Sequence, residues 1–478
     1  MSPEGWEPVI GLEVHCELKT ATKLFCGCRN AFGDEPNTNV CPVCLGLPGS
    51  LPVLNVRAVE FAMRIGAALH CEVRPSLFHR KNYFYPDMPK NYQISQYDAP
   101  INVGGWLELP DGSRVGIVRA HLEEDTGKTT HVGGGGRIHD AGYALVDYNR
   151  AGVPLVEIVS EPDMRSAAQA RLYASELRAI LVATEASDGR MEEGSMRVDA
   201  NVSVRRAGTV ELGTRCEIKN MNSLRSLARA IEYEVTRQTG LLEAGDKVAQ
   251  ETRHWDENRG ETIALRSKEE AFDYRYFPEP DLVPIAPDPS WVSEVAASLG
   301  PMPAARRAKL GALFGPELPT GSRADQIQTV VEHELDGLVT SSVAAGIKPD
   351  LALARTANEA SAHPDRARVL APTSYTALLR MEQDGHLNAT QTKAVLAEML
   401  ERGGEPGEIA RRKGFEAIDM DAVADVVRQL VDAHPQEFER YKNGDDKVAG
   451  FFVGQAIKAT GNRAVGKAVT EELRRLRI

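Results

Sequence analysis

The chain has 478 residues, 42% of them hydrophobic and 26% charged, proportions typical of a globular protein with roughly two to four domains. Its net charge of −12 at pH 7 excludes a protein that coats nucleic acid by charge alone, because such proteins need a basic surface. The amino terminus lacks the basic and apolar regions of a signal peptide, and no apolar run reaches membrane-spanning length. We therefore expect a cytoplasmic protein with no membrane segment.

The first predicted element is a strand over residues 9–19, in which apolar and polar residues alternate. Alternation places Glu13, His15 and Glu17 on the face opposite the apolar residues. Glu13 and His15 would lie about 7 Å apart, close enough to reach one cation. An exposed sheet face that carries the same residues is the alternative.

Two cysteine pairs follow, Cys26 with Cys28 and Cys41 with Cys44, separated by twelve residues. Four thiolates brought together across a loop can close a tetrahedral zinc site of the structural kind. Unconnected free thiols are the alternative. The spacing predicts a zinc-binding loop over residues 26–44.

Residues 79–96 combine three cations, four aromatic residues and two prolines, which predicts an ordered segment that is not helical. Cations interleaved with aromatic rings can bind phosphates and stack on a base. An aromatic loop packed on the core explains the composition equally well.

Acidic residues mark the next two predicted strands. The strand over residues 114–122 ends in Glu123, Glu124 and Asp125, which form either a solvated turn or a cation site. Residues 133–136 are four glycines, which we interpret as a hairpin tip because they lack the context of a phosphate-binding loop. The strand over residues 153–159 carries Glu157 at its centre, and a carboxylate there is costly unless it is paired, protonated or bound to a metal.

Strands over residues 196–204 and 214–219 again alternate, and Glu217 falls on a polar face with Arg215 and Lys219. Several strands therefore share one apolar face and one face rich in carboxylates and cations. One polar pocket on a large antiparallel sheet explains this pattern most economically.

From about residue 290 the composition favours helices, with a glycine-rich linker at residues 403–407. The last segment, residues 419–478, is predicted to form short helices and is basic towards its end. A small basic helical module is a candidate for contact with RNA, and a solvated helical surface is the alternative.

Longer motifs resemble the B subunit of the tRNA-dependent amidotransferases over essentially the whole chain. They are Gly11-Leu-Glu-Val-His15, the four cysteines, Arg80-Lys-Asn-Tyr-Phe-Tyr-Pro-Asp87, Tyr92-Gln-Ile-Ser-Gln96, Asp147-Tyr-Asn-Arg150, Pro154-Leu-Val-Glu-Ile-Val159 and Gly450-Phe-Phe-Val-Gly-Gln455.

The resemblance implies an α+β fold. Residues 1–290 would form a large antiparallel-sheet cradle similar to glutamine synthetase, residues 291–405 a helical domain, and residues 406–478 a small helical tail of the YqeY-like kind that binds tRNA. It also implies a ligase that forms carbon–nitrogen bonds. With ATP and Mg²⁺, such an enzyme phosphorylates the side-chain carboxylate of misacylated Glu-tRNA(Gln) or Asp-tRNA(Asn). Ammonia then displaces the phosphate.

The resemblance also assigns roles to single residues, which we state as expectations. The magnesium ligands would be Glu13, His15, Glu123 or Glu124 (with a preference for Glu124), Glu157 and Glu217. Lys81 and Arg150 would contact ATP phosphates, and Glu157, Lys81 and Glu124 would be catalytic. Structural zinc would bind Cys26, Cys28, Cys41 and Cys44.

The implied partners are the two other members of a heterotrimer and misacylated tRNA. One of the two is a glutaminase of the amidase kind, which supplies ammonia, and the other is a small protein that clasps the pair. Two other functions remain open on the sequence. The chain could be a stand-alone ammonia-dependent amide ligase, or a tRNA-binding scaffold without catalytic activity.

Overall fold

The computed structural model describes residues 5–133, 141–264, 274–316, 319–415, 420–460 and 466–477. The chain divides into two compact units, Met1–Ala304 and Ala305–Ile478. Within the described residues, all strands belong to the first unit.

The strands of the first unit are numbered in chain order. They are β1 (Trp6–Glu17), β2 (Glu72–Val73), β3 (Leu77–Asn82), β4 (Tyr92–Ala99), β5 (Asn102–Val103), β6 (Trp106–Glu108), β7 (Arg114–Glu124), β8 (Lys128–Val132), β9 (Tyr143–Asp147), β10 (Pro154–Ser160), β11 (Met196–Arg206), β12 (Cys216–Met221), β13 (Thr252–Asp256), β14 (Glu261–Ala264) and β15 (Phe277–Pro278).

One 13-stranded sheet dominates this unit, with β8 and β9 forming a separate two-stranded ribbon. Its main path is β14-β13-β12-β11-β1-β10-β7-β4-β3-β15, and β5 and β6 pair with β7 beside that path. All neighbours are antiparallel except β12 and β13. The sheet is therefore antiparallel, as expected, except at this one parallel pair. Helix α3 (Leu224–Glu243) lies between β12 and β13 in the sequence and provides the long crossover that parallel pairing needs.

Helices cover one face of the sheet. α1 (Val56–Ala68), α2 (Ala167–Ala183) and α3 each begin at a side chain that accepts a hydrogen bond from the first turn, namely Asn55, Ser166 and Ser223. Together with α4 (Pro289–Ala297) they share one hydrophobic core with the apolar residues of β1, which are fully buried from Ile10 to Cys16 at alternate positions. The intervening side chains project from the opposite surface, here called the polar face.

Each strand predicted along the polar face is confirmed, with ends that shift by a few residues. The shift matters at β7, which continues through Glu123 and Glu124 and does not end at Leu122. Successive residues of a strand point to opposite faces, so these two glutamates are separated by the sheet. The expected hairpin tip lies between β8 and β9, but residues 134–140 lie outside the described residues.

The second unit consists of helices and short 3₁₀ turns in its described part. Its helices are α5 (Pro303–Gly311, which begins at the unit boundary), α6 (Ser322–Glu332), α7 (Asp336–Ala344), α8 (Pro349–Asn358), α9 (Pro364–Arg368), α10 (Pro372–Gln383), α11 (Ala389–Arg402), α12 (Pro406–Arg412), α13 (Met420–Ala433), α14 (Pro435–Lys442), α15 (Ala449–Ala459) and α16 (Gly466–Arg477).

Two hydrophobic cores lie within this second unit. One contains residues from Leu310 to Ala410, and the other residues from Val423 to Leu473. The α+β class, with a large sheet followed by a helical region, is therefore confirmed, while the division at residues 290 and 405 stays a prediction. Across the ranges that the structure describes, no helix combines the length and apolarity needed to cross a membrane.

Candidate functional site

Three adjacent strands bring an imidazole and carboxylates together on the polar face. In the register of β1, β10 and β7, His15 lies opposite Glu157, and Glu157 lies opposite His121. Glu123 follows His121 by two residues and therefore shares its face. The pattern of alternating strands thus concentrates four side chains that are far apart in the sequence.

Their distances suit a bound cation. His15 Nε2 lies 3.7 Å from Glu123 Oε1, and one ligand atom each of His15, Glu123 and Glu157 lies within 4.8 Å of the others. His121 Nε2 lies 3.2 Å from Glu157 Oε2 and 3.7 Å from Glu123 Oε2. Carboxylate oxygens suit Mg²⁺ or Mn²⁺, and the imidazole adds a ligand that transition metals accept.

The electrostatics of this group favour an ionised Glu123. Burial raises the pKa of its carboxyl, but the neighbouring His121 and His15 imidazoles outweigh burial and bring that pKa down to about 2. His121 is fully buried, its Nδ1 makes no hydrogen bond with any described residue, and its Nε2 faces both glutamates without a hydrogen bond of regular geometry. A buried ring nitrogen that lacks a regular hydrogen bond needs an explanation, and a cation bound beside it would provide one. The residues present therefore fit a divalent cation.

Two further predicted ligands lie on the same face but are held by other side chains. Glu13 accepts a hydrogen bond of 2.9 Å from Asn201 Nδ2. Glu217 lies 2.9 Å from Lys219 Nζ and accepts a hydrogen bond of 2.8 Å from the Thr252 hydroxyl. Among the side chains that the structure describes, neither glutamate belongs to the group that converges with His15.

The structure separates the two glutamates between which the sequence left a choice. Glu123 joins His15 and Glu157, whereas Glu124 points to the opposite side of the sheet because strand residues alternate. There, Glu124 Oε1 lies 2.5 Å from Lys90 Nζ and accepts a hydrogen bond of 2.9 Å from the Ile94 amide. The structure thus places Glu124 away from the candidate cation site, although the sequence-based prediction preferred it to Glu123.

The two predicted phosphate contacts occupy different parts of the unit. Lys81, on β3, has its ammonium group 4.9 Å from the centroid of the Tyr274 ring. Arg150 donates hydrogen bonds of 3.0 and 2.9 Å to the carbonyl oxygens of Thr126 and Gly127. Both groups are partly exposed cations that an anion can approach.

A second acidic pair, half-buried Glu17 and buried Asp125, lies at the end of β1 and just past the end of β7. Burial, followed by the repulsion of Asp125, raises the pKa of Glu17 to about 8. Asp125 Oδ2 lies 2.9 Å from Arg197 Nη2 and 3.5 Å from Arg150 Nε. Arg150 is thereby linked to the carboxylates of the polar face.

The sequence reasoning misses His121 and assigns no role to Asp125. Both belong to one alternating series with Glu123, which becomes visible once β7 is extended past Leu122. Ending the predicted strand at the run of three acids hides this alternation. The signal is therefore present in the sequence.

The cysteine loop, residues 26–44, brings its four thiols together as predicted. The sulfur atoms of Cys26, Cys28, Cys41 and Cys44 all lie within 4.8 Å of one another. A hydrogen bond from the Cys26 thiol, aided by the Cys41 amide and the nearby Lys23 ammonium, lowers the pKa of Cys44 to about 5. Four converging sulfurs, one already favoured as a thiolate, fit a closed zinc site.

Comparison with known proteins agrees with this layout. Residues 8–293 match the family model of the GatB/GatE catalytic domain, and residues 351–476 match that of the GatB domain. The chain is 49% identical to the B subunit of the aspartyl/glutamyl-tRNA(Asn/Gln) amidotransferase of Moorella thermoacetica, over 98% of this chain and 100% of the relative. It is 48% identical to the protein of the same name from Frankia casuarinae, over 97% and 94% of the two chains.

Proposed function

Because the chain belongs to the family of aspartyl/glutamyl-tRNA(Asn/Gln) amidotransferase B subunits, we propose that its polar face carries the ATP-dependent step of tRNA-dependent transamidation. The substrate is Glu-tRNA(Gln), Asp-tRNA(Asn) or both. Its side-chain carboxylate is phosphorylated, and ammonia then displaces the phosphate to leave the amide. The observation that carries the proposal is the convergence of His15, Glu123 and Glu157 within 4.8 Å.

The cation site would be held by His15, Glu123 and Glu157, with Glu13 and Glu217 on the neighbouring strands. A bound Mg²⁺ supplies charge that stabilises the transferred phosphoryl group. The role of the protein is to hold its carboxylates aligned, and in the metal-free chain the neighbouring imidazoles already keep the pKa of Glu123 low. Of the two adjacent glutamates, we assign the ligand role to Glu123.

Lys81 and Arg150 would bind and orient phosphate oxygens. Lys81 presents its ammonium beside the Tyr274 and Tyr83 rings, and its positive charge contributes to the low pKa of Glu123, so its charge reaches the candidate cation site. Arg150 is held by two backbone carbonyls, which fixes the direction of its remaining donors.

The remaining parts of the proposal follow from the family. The unit that carries the sheet would be a cradle similar to glutamine synthetase, zinc would close the cysteine loop, and residues 406–478 would bind tRNA. Ammonia would come from glutamine hydrolysed by a separate glutaminase, with a third, small protein completing a cytoplasmic heterotrimer. The enzyme would then be a carbon–nitrogen ligase with glutamine as amide donor.

A transamidation assay with Lys81→Ala tests the assignment. In the reconstituted complex, with each misacylated tRNA, we expect amide formation to fall at least about 100-fold, because removing one group that stabilises a transition-state charge costs that much. Binding of tRNA and glutaminase activity should stay unchanged. Lys81→Arg, which keeps the charge, should retain part of the activity.

The same assay separates the two alternatives. Amide formation from ammonium without any partner would support a stand-alone ligase. Full activity of Lys81→Ala would contradict the phosphate role of Lys81. Full activity of a variant that carries both Lys81→Ala and Glu157→Gln, together with normal tRNA binding, would leave a scaffold as the better description.

A further inference from the structure

The cysteine loop lies against residues 146–150, which comprise the end of β9 and the following turn with Arg150 and are here called the 146–150 turn. Asn37, in the middle of the loop, is at the centre of this contact. Its amide donates to Asp147 Oδ1 at 2.9 Å, its side-chain amide donates to the Val146 carbonyl at 3.1 Å, and its side-chain oxygen accepts from the Tyr148 amide at 2.8 Å. One asparagine thus holds three successive residues of the turn.

A neighbouring pair of contacts repeats the arrangement. The Asn39 amide donates to Asn149 Oδ1 at 2.7 Å, and Asn149 Nδ2 donates to the Glu35 carbonyl at 2.7 Å. The contact between loop and turn is therefore reciprocal, with donors and acceptors on both sides. Such a network fixes a backbone more firmly than single hydrogen bonds do.

A buried lysine connects the thiols directly to the same turn. Lys23 is fully buried, and its ammonium lies 3.7 Å from Cys44 Sγ and 3.2 Å from the Tyr148 carbonyl oxygen. A buried ammonium is costly unless negative groups surround it. Thiolates at Cys44 and its neighbours would supply that negative charge, so the state of the thiols also affects the turn.

The two cysteine pairs lie at the ends of the loop, so a metal bound to them would hold in place the residues that contact the turn. Asn37 and Asn39 lie between the two cysteine pairs, in a segment without helix or strand. Closing both ends of such a segment lowers its conformational freedom and holds its contacts in place. A cavity of about 300 Å³ between loop and turn is lined by Phe32 and Asp34 from the loop and by Arg150 from the turn.

We propose that the metal-closed cysteine loop acts as a clamp on the 146–150 turn, and that Asn37 is the residue that positions Arg150 through it. The inference rests on the proposed function in one respect, namely that Arg150 binds phosphate oxygens of ATP. Asn37 itself touches no substrate and acts through the turn. Replacing Asn37 should therefore change the binding of ATP more than the rate of the chemical step.

Asn37→Gly tests the clamp in the full chain. Asn37 has a backbone φ of 60°, which glycine adopts without strain, so this variant removes the side chain only. We expect the hydrogen-exchange rate of the backbone amides at 146–150 to rise at least about tenfold. The KM for ATP should rise while kcat stays nearly unchanged, and the zinc content should stay at the wild-type value. Asn220→Gly is the matched control, because Asn220 is exposed and its backbone φ of 69° is also one that glycine adopts without strain, and it should change none of these quantities.

Metal removal provides the second arm. Extracting zinc from the wild-type chain with a chelator should raise exchange at 146–150, and adding Zn²⁺ back should restore protection. Unchanged exchange after extraction, or full protection in a chain purified without metal, overturns the proposal. Faster exchange at 146–150 both in Asn37→Gly and after zinc extraction, with unchanged ATP binding, supports the clamp and refutes the phosphate role of Arg150. Failure of the clamp and failure of the phosphate role therefore give different results.

Discussion

Glu157→Gln is the substitution that tests the cation site most directly. The change keeps the shape of the side chain and removes one negative charge from the group formed with His15 and Glu123. It also alters the contact at 3.2 Å between Glu157 Oε2 and His121 Nε2. All partners stay in place, so the variant changes the charge of the site and little else.

The size of the effect follows from the position of Glu157 in direct reach of the cation. Removing residues that only support a metal ligand costs about 10- to 100-fold in metal affinity. A ligand carboxylate should cost at least the upper value, about 100-fold, which corresponds to about 2.8 kcal/mol of binding free energy. Transamidation should fall by at least as much at limiting Mg²⁺.

Mn²⁺ serves as the probe, because the signal of the free ion in electron paramagnetic resonance reports how much is bound. Affinity is measured for the wild type, for Glu157→Gln and for Glu161→Gln, an exposed glutamate just beyond the same strand. Thermal unfolding checks that each variant folds. An affinity for Glu157→Gln within about threefold of the wild type and of the control, in a folded chain, would refute the assignment.

Three other predictions address neighbouring features. Glu123→Gln should weaken Mn²⁺ binding at least about 100-fold, whereas Glu124→Gln should leave Mn²⁺ binding unchanged and lower stability by about 3 kcal/mol through its lost ion pair. Equal effects of the two substitutions on Mn²⁺ affinity would contradict the separation by the sheet. Because Glu17 has a pKa raised from 4.5 to about 8, the folded chain keeps its proton where the unfolded chain loses it, so stability falls as pH rises from about 4.5 to about 8. The stability of Glu17→Gln relative to the wild type, measured by urea unfolding, should therefore increase between pH 5 and pH 8 by up to about 4 kcal/mol. The same stability difference at both pH values would contradict this. Tyr375→Phe removes a buried hydrogen bond of 2.9 Å to the Thr356 hydroxyl and should cost about 1 kcal/mol; no loss on unfolding of the full chain would show that the hydroxyl contributes nothing.

Local patterns in the sequence were sufficient for five strands of the sheet and for part of the site. Alternation in residues 9–19 placed His15 on the polar face, and the spacing of the cysteines predicted a four-thiol loop whose sulfur atoms do converge. Caps at Asn55, Ser166 and Ser223 set the starts of the first three helices. These features depend on neighbours in the sequence, and for that reason they can be read from it.

The end of β7 shows where local patterns fail. Three consecutive acids favour a turn, yet the strand continues through Glu124 because pairing with β10 satisfies its backbone. That continuation decides that Glu123 meets His15 and that Glu124 meets Lys90. Pairing between strands outweighs the local preference of the residues.

The sequence by itself determined the classes of element, the face of each strand and the residue types of the cation and cysteine sites. Only the tertiary structure decided which strands are neighbours, and hence that His15, Glu157 and His121 lie side by side. It also decided that Asn37 meets the turn at Asp147, 110 residues away. Alternation and spacing act within a few residues, whereas strand order and loop contacts depend on how the whole chain buries its apolar surface.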